Sequence, residues 1–521
     1  MITERGQPAG KAGAVDILRW PLAGRFLRWR HARLALQAPL FLLAGLMLFD
    51  GFFGPQLAPK NLATVGAWLQ YRGLVVLALL IAGNLFCMAC PFMLPRRLGR
   101  LIRRRFLAGG HPVPRALRNK WLAVALTAVF FYVYERYSLW ASPWLTAWVA
   151  AGYFLAAFLV DTWFEGAAFC KYVCPLGQFN FFGSLVSPLE IRVRAPSVCA
   201  ACATKDCIRG RRVGEHGPQA SPAGHEVRPY DETRPEKVTI PGCELWLFQP
   251  AKAGNMDCTF CLDCVHACPH DNIGLIGRLP TAELWGDPFR SGIGRFSRRA
   301  DLAALVVLLT FASFINAFNM IRPVYTLRDR LAAALGLPSP APLLLLTFVL
   351  GLIVLPALLV ALAGWASARL AQPHETIAAA VQRYVYALVP LGFGMWVAHY
   401  SFHFLTGGLT IVPVVQSFLA DVGLYGGPVQ WGLGPVVPGA WLFPIEAVFL
   451  YLGATGALIV AFQISQRPGA GAPGNQGRGI AAALPWFVLI LLLLAAGLWI
   501  LVQPMDMRGT MQMIGLPGTG G

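Results

Sequence analysis

The sequence has few charged residues for its length, and acidic residues are the scarcer kind. Only 13% of its 521 residues are charged and 56% are hydrophobic, with 25 Asp and Glu against 43 Lys and Arg. Soluble globular domains carry about 25% charged residues, so this composition excludes that class and indicates a membrane protein. The basic surplus does not indicate nucleic-acid binding. It is concentrated in loops beside apolar stretches, where the positive-inside rule and anionic lipid account for it.

Three cofactor motifs are also missing. The chain contains no Cys-x2-Cys-His for covalent haem, no Gly-x4-Gly-Lys-Ser/Thr phosphate loop, and no dinucleotide fingerprint that opens a helix after a strand. Nucleotide-driven transport and direct NADH oxidation are therefore disfavoured.

Apolar stretches dominate what is present. Nine of them approach the roughly 20 residues that a membrane helix needs, at 35–53, 72–92, 121–140, 143–163, 302–321, 342–366, 384–405, 441–463 and 482–503. Segment 95–120 holds eight arginines and one lysine with no acid, which marks it as cytoplasmic. This predicts a bacterial inner (cytoplasmic) membrane protein with its amino terminus and segment 190–300 in the cytoplasm and its carboxyl terminus in the periplasm.

Segment 190–300 carries eight cysteines in a spacing typical of two [4Fe–4S] clusters. Three thiolates two residues apart can curl around one cube, and a fourth before proline points to a neighbouring cluster. The pattern predicts one cluster on Cys199, Cys202, Cys207 and Cys268, and a second on Cys243, Cys258, Cys261 and Cys264. Zinc is the alternative occupant, although it is usually bound by two Cys-x2-Cys pairs.

Two further cysteine pairs precede prolines near the ends of the second and fourth stretches. They are Cys87 with Cys90, followed by Pro91, and Cys170 with Cys174, followed by Pro175. By the predicted topology both pairs reach the cytoplasmic face, where the four sulfur atoms are candidates for a third metal or dithiol site. The alternative is small hydrophobic side chains at a helix contact.

These Cys-Pro motifs, followed by a two-cluster cysteine segment, resemble the NapH/NosR/CcoG group of membrane polyferredoxins over about residues 35–320. The resemblance implies clusters on the cytoplasmic side and a role as a quinol-linked electron carrier or as a redox helper in metalloenzyme assembly. The first motif departs from the group, because two residues rather than three separate Cys87 and Cys90. The helices after residue 340 are not explained by it.

Ionisable residues inside apolar stretches are costly and are therefore functional candidates. The candidates for a proton or quinone contact are Asp161, Glu165, His399, His403 and Glu446. His399 and His403 lie four residues apart on one helix, so they cannot ligate opposite faces of one haem. The remaining roles for these two histidines are contact with a quinone, a metal shared with a partner, or ordinary structural hydrogen bonding. A methionine-rich tail, with thioethers suited to Cu(I) or to packing, contains Met505, Met507, Met511 and Met513.

We therefore predict an α-helical polytopic membrane protein of about nine transmembrane helices with an inserted small α+β two-cluster ferredoxin-like cytoplasmic domain. The expected divisions are a basic amino terminus (1–34), a four-helix membrane unit (35–189), the ferredoxin-like domain (190–300), a second membrane unit (301–503) and the tail (504–521).

The expected function is electron transfer between the quinone pool or a membrane partner and a redox enzyme, as in a component of a quinol dehydrogenase. Lipid, quinone and a redox protein are the expected partners, and basic residues such as Lys205, Arg209 and Arg278 should favour reduced clusters. The alternatives are a maturation factor that reduces copper or thiols, and clusters that only stabilise the fold.

Overall fold

The computed structural model describes residues 15–106, 110–212, 238–371, 375–467 and 476–505. Within these ranges the chain is mostly helical, and eight helices are long and apolar enough to cross a membrane. The chain is therefore a multi-pass membrane protein. We call these helices spans 1 to 8: Ala32–Phe53, Leu62–Ala82, Pro143–Trp163, Ala300–Phe318, Ala341–Leu370, Ile377–Asp421, Gly439–Ser465 and Gly479–Val502.

The third predicted stretch, 121–140, forms a shorter helix, Trp121–Arg136, of 16 residues. At 1.5 Å per residue it is about 24 Å long, less than the roughly 30 Å hydrocarbon core. A tight turn that ends at Ser142 joins it to span 3. Ser142 caps the first turn of span 3, because its hydroxyl accepts a hydrogen bond from the Leu145 N–H at 3.2 Å. The expected count of nine long helices is thus reduced to eight in the described chain.

Span 2 lies about ten residues earlier than its predicted stretch. It begins where Asn61 caps the Ala63 N–H and ends at Gly83, which has a φ of +65°. A side chain at Gly83 would also meet Ser187 Oγ at 2.7 Å, so glycine both permits the turn and allows the close approach. Cys87 consequently lies in a separate short helix, Leu85–Ala89, rather than in the last turn of the span.

Span 6 is a broken helix. Its segments are Ile377–Tyr384, Val389–Gly407 and Ile411–Asp421, separated by short 3-10 turns. The middle segment packs on span 7, where Gly394 and Gly453 approach so closely that a Cβ on Gly394 would lie 3.0 Å from the Gly453 Cα. Such small residues let membrane helices pack backbone to backbone.

A small insert between spans 3 and 4 contains the strands. Strand β1 (Leu189–Val193) pairs antiparallel with β4 (Ile273–Gly277), and Leu189 lies opposite Gly277. Strands β2 (Arg211–Arg212) and β3 (Val238–Ile240) form a second antiparallel pair. Residues 213–237, between β2 and β3, lie outside the described residues. Shorter helices in and around the insert are Pro95–Phe106, Pro175–Ser184, Pro196–Ala201, Asp206–Arg209 and Asp263–Ala267.

The insert contacts the membrane bundle at the start of span 1, after span 2 and before the helix Trp121–Arg136. Arg33, in the first turn of span 1, pairs with Glu244 at 3.0 Å. After span 2, the Asn84 amide donates to the Cys258 carbonyl oxygen at 2.6 Å, and Lys120 Nζ lies 2.6 Å from Asp257. The start of span 1, the loop after span 2 and the insert therefore lie at one end of the bundle.

The carboxyl-terminal spans alternate between that end and the opposite one. Arg467, after span 7, donates to the carbonyl oxygen of Trp285 in the insert at 2.7 Å. At the far end of span 4, the Arg322 N–H donates to the Pro504 carbonyl oxygen at 2.9 Å. The end of span 8 thus lies away from the insert. The helix Trp121–Arg136 begins at the insert end, next to Lys120, and the turn at Ser142 joins it to span 3. The two helices therefore form a hairpin.

Candidate functional site

The first predicted cysteine group lines a single cavity in the insert. Short helices carry Cys199 and Cys207, and Cys268 directly follows the helix Asp263–Ala267. The cavity wall also includes Lys205, one of the basic residues expected near a cluster. The four sulfur ligands brought together here are Cys199, Cys202, Cys207 and Cys268.

Asn272 orients two sulfur atoms of this group. Its backbone N–H donates to Cys268 Sγ at 3.4 Å, and its side-chain Nδ2 donates to Cys199 Sγ at 3.2 Å. The same side chain is fixed by hydrogen bonds to both backbone groups of Ala195. Hydrogen bonds to sulfur stabilise negative charge, which is one of the ways in which proteins set cluster potentials.

The second group is more deeply buried. Electrostatic interactions link the Cys243, Cys258 and Cys264 thiols to one another, and Cys261 to Cys243. Burial raises the pKa of the Cys243 thiol to about 12, and the nearby Cys258 sulfur adds to the shift. These thiols are therefore neutral without a cation, whereas a bound metal ion deprotonates the thiols that coordinate it.

The backbone around these cysteines is strained. Asp257, Phe260 and Leu262 have φ values of +61°, +55° and +62°, a left-handed conformation that side chains other than glycine rarely adopt. Such residues persist where the surroundings over-determine them and cluster at functional sites. The left-handed residues curve the segment 257–264. The cysteine spacing implied such a curve, but Phe and Leu are not residue types that predict a left-handed backbone.

Mononuclear zinc and a cubane cluster need different distances between their ligand atoms. Zn–S bonds near 2.3 Å place tetrahedral zinc ligands about 3.8 Å apart. Among the described residues, which include every cysteine, the only ligand set of three or more within 4.8 Å is Glu244, Cys261 and Asp263. No cysteine group is drawn together as mononuclear zinc requires. A cube binds each thiolate through a different iron and so accepts wider spacing.

The Glu244, Cys261 and Asp263 set is itself poorly suited to a cation, because a guanidinium already occupies it. Arg33 donates to both oxygens of Glu244 at 3.0 and 3.2 Å and lies 3.6 Å from Asp263. Arg96 donates to Glu244 at 2.8 Å. Although burial alone would raise it, Arg33 and Arg96 hold the pKa of the Glu244 carboxyl far below its usual range.

The two Cys-Pro motifs converge on a third group. Cys170 interacts electrostatically with Cys174, Cys90 and Cys87, so the two hairpins bring the four thiols near one another. Met93, which sequence reasoning missed, places its sulfur 3.2 Å from Cys170 Sγ. Methionine three residues beyond Cys90 was the available signal.

Polar groups also contact the third group. Asn180 Nδ2 donates to Cys87 Sγ at 3.2 Å, and the Gly177 N–H donates to Cys174 Sγ at 3.1 Å. Burial raises the pKa of the Cys174 thiol to about 12 and that of Cys90 to about 11. Cys170 belongs to a π-helical segment, Phe169–Val173, a conformation frequent at functional sites.

The second group is the neighbour of both the first and the third. Cys264 of the second group interacts electrostatically with Cys207 of the first. Cys87 of the third group interacts with Cys258 of the second. The sulfur atoms thus form a series from the membrane hairpins through the second group to the first.

The charged residues near the groups differ partly from those expected. Arg278 is engaged by Glu283 at 2.7 Å and by the Ser184 carbonyl oxygen at 2.8 Å. Lys252 and Arg33 were missed, yet their charges act on Cys258 and Cys261 respectively.

The intramembrane candidates fall into two places. Asp161 lies near Cys170, where it accepts the Phe169 N–H at 2.9 Å and pairs with Arg96 at 3.5 Å. Glu165 lies beside it, and its N–H donates to the His111 carbonyl oxygen at 3.1 Å.

The other candidates lie within the membrane part. The rings of His399 and His403 are 4.9 Å apart on span 6, and both nitrogens of the buried His399 ring lack a hydrogen-bond partner within the described residues. Glu446 is buried on span 7. Met505 contacts Ile321 across an isolated bridge, whereas Met507, Met511 and Met513 lie outside the described residues.

Comparison with known proteins adds no assignment, because no family model, curated protein or solved structure matches this chain.

Proposed function

We propose that this chain is a membrane-bound iron–sulfur protein that passes electrons between the quinone pool, or a membrane partner, and a redox enzyme. Two [4Fe–4S] clusters would supply reversible one-electron chemistry. Cys199, Cys202, Cys207 and Cys268 would hold one cluster. Cys243, Cys258, Cys261 and Cys264 would hold the other.

The observation that carries this proposal is the separation of eight cysteines into two neighbouring groups of four. The last cysteine of the motif, Cys268, joins the upstream group instead of Cys258, Cys261 and Cys264, as the crossed ligation of two-cluster ferredoxins requires. The spacing wider than zinc requires and the hydrogen bonds from Asn272 to sulfur support the same reading. Both features suit the insert to a ferredoxin-like role within the polyferredoxin group that the sequence resembles.

The chain's own residues would tune these sites. Asn272 donates to two sulfur atoms of the first group, and the cationic Lys252 acts on Cys258 of the second. Both interactions stabilise negative charge and so favour the reduced state. Asp161, near Cys170, remains the best placed of the predicted proton acceptors, although Arg96 already pairs with it.

We also place the insert and amino terminus in the cytoplasm of a bacterial inner membrane and the carboxyl terminus in the periplasm. The Arg-rich helix Pro95–Phe106 lies at the same end of the bundle as the insert, and clustered arginines beside spans favour the cytoplasmic side. A reducing cytoplasm would also keep the thiols available for metal.

The decisive experiment is anaerobic purification of the full chain in detergent. We expect about eight iron and eight acid-labile sulfide ions per chain, with a paramagnetic signal after dithionite reduction. In a separate sample with oxidised clusters, a reduced quinone analogue should bleach the cluster absorbance on a catalytic timescale. Colourless protein without labile sulfide would end the cluster assignment, whereas clusters that quinol never reduces would end only the quinone link.

A second candidate function is favoured by the third group. Four thiols and the Met93 thioether form a soft sulfur set that suits Cu(I) or dithiol chemistry, as a maturation factor that reduces copper or thiols would need. The test is Cu(I) binding by the anaerobic protein with and without the substitutions Cys170→Ser and Met93→Leu. Unchanged Cu(I) affinity in both variants would exclude copper at this group.

A further inference from the structure

A polar cavity lies beside the second cysteine group, where the insert meets the start of span 1. It is lined by arginines from two separate segments. One segment runs into the start of span 1, and the other is the helix Pro95–Phe106. We call it the arginine cavity, and the lining residues that matter here are Arg30, Arg33, Arg96, Arg100, Asp263 and His266.

The positive charge in this cavity is only partly neutralised. Glu244 and Asp263 pair with Arg33, and Glu244 also pairs with Arg96. Within the described part of the chain, neither Arg30 nor Arg100 has a carboxylate partner at ion-pair distance. Burial, and after it the charge of Arg96, lowers the pKa of Arg100 to about 10. Arg100 is thus a partly buried cation held beside another cation without an anion of its own.

The surroundings place the cavity at the depth of lipid headgroups. Arg96 and Arg100 are one turn apart on one face of the helix Pro95–Phe106, whereas Leu98 and Leu101 on another face are 55% and 64% exposed. A basic helix with such a face lies in the membrane interface. Trp29, 49% exposed just before span 1, is also typical of this level.

We propose that the arginine cavity binds the phosphate group of an anionic phospholipid in the leaflet on the insert side, with Arg100 and Arg30 as its main contacts. A planar guanidinium donates two parallel hydrogen bonds to phosphate oxygens, which makes arginine the preferred side chain for this geometry. Free inorganic phosphate has the same chemistry, but the interfacial depth favours a lipid. The assignment does not depend on iron–sulfur clusters.

The test uses the full chain in uncharged detergent, titrated with short-chain phosphatidylglycerol and followed by native mass spectrometry. Arg100→Gln should weaken binding about tenfold, because hydrogen bonds to charged groups are the strong ones. The matched control is Arg105→Gln, which removes the same charge from an exposed position on the same helix and should change affinity less than about twofold.

Further arms separate the sources of phosphate and guard against misfolding. Short-chain phosphatidylcholine should bind far more weakly than phosphatidylglycerol. Inorganic phosphate that displaces phosphatidylglycerol at low millimolar concentration would identify free phosphate as the ligand, and failure to displace it would identify the lipid. Arg100→Lys keeps the charge and should retain part of the affinity even if the glutamine variant unfolds. Equal losses in the Arg100 and Arg105 variants, or equal binding of both lipids, would overturn the proposal.

Discussion

Glu244 offers the sharpest test of how the insert is fixed to the membrane bundle. Its buried carboxylate accepts two hydrogen bonds from the Arg33 guanidinium, at 3.0 and 3.2 Å, and one from Arg96 at 2.8 Å. Arg33 begins span 1 and Arg96 follows span 2. One insert side chain therefore joins two separate segments of the membrane unit.

The substitution Glu244→Gln should lower the free energy of unfolding of the insert by about 3–5 kcal/mol. Removing one partner of a buried ion pair costs up to this much, because Arg33 and Arg96 would then keep, among the described residues, only Asp263 at 3.6 Å and Asp161 at 3.5 Å as carboxylate partners. The matched control is Asp271→Asn, whose side chain is 59% exposed and pairs with Arg28 at 3.0 Å and with Arg194 at 3.3 Å. An exposed pair contributes about 0–1 kcal/mol.

The assay is hydrogen exchange of the backbone amides of strand β4, measured in detergent on protein purified without air. The iron content of each sample is measured in parallel. The glutamine variant should exchange faster by two orders of magnitude or more, and the Asp271 variant by less than about tenfold. Equal exchange in the Glu244 and Asp271 variants, at equal iron content, would refute the reasoning.

Three further predictions follow from the packing and the cysteine groups. Cys258→Ser and Cys202→Ser should each lose roughly half of the bound iron and labile sulfide; full retention in either variant would contradict the grouping. Removing iron by oxidation and chelation should make the insert sensitive to protease while the spans stay protected, because metal binding and folding are coupled; equal sensitivity before and after chelation would argue against that coupling. Gly394→Leu should destabilise the contact of spans 6 and 7 by about 1–3 kcal/mol, since its Cβ would lie 2.8 Å from the Phe449 carbonyl oxygen. The control Gly152→Leu has nothing within 4 Å of its Cβ and should be neutral, so similar melting midpoints would show that the glycine contact is not tight.

Hydrophobicity predicted the spans well because the bilayer imposes a minimum apolar length. It failed where local backbone chemistry decides a boundary. The stretch 72–92 is apolar throughout, but the left-handed turn at Gly83 and the contact with Ser187 end the helix ten residues early. Composition also could not show that Trp121–Arg136 is only 16 residues long, since the apolar run continues through the turn into span 3.

The cysteine groups were proposed from spacing, because cysteines two or three residues apart lie on one short arc of the chain. The residues that surround them were not. Glu244, Arg33 and Arg96 come from segments far apart in sequence, so only the folded chain brings them beside Cys261. Conversely, Arg278 is near the cysteine groups in sequence yet is held by Glu283, which sequence proximity alone could not reveal.

The order of the three sulfur groups leads to a directional prediction under the proposed function. The third group adjoins the membrane hairpins, the second is buried, and three thiols of the first are partly exposed. Tunnelling falls steeply with distance, so electrons from quinol should reach the first group only through the second. In a Cys258→Ser variant that retains the first cluster, dithionite should reduce this cluster directly from solvent, whereas a quinol analogue should not. Reduction by the quinol analogue at the unmodified rate, seen in the paramagnetic signal, would mean that electrons enter elsewhere.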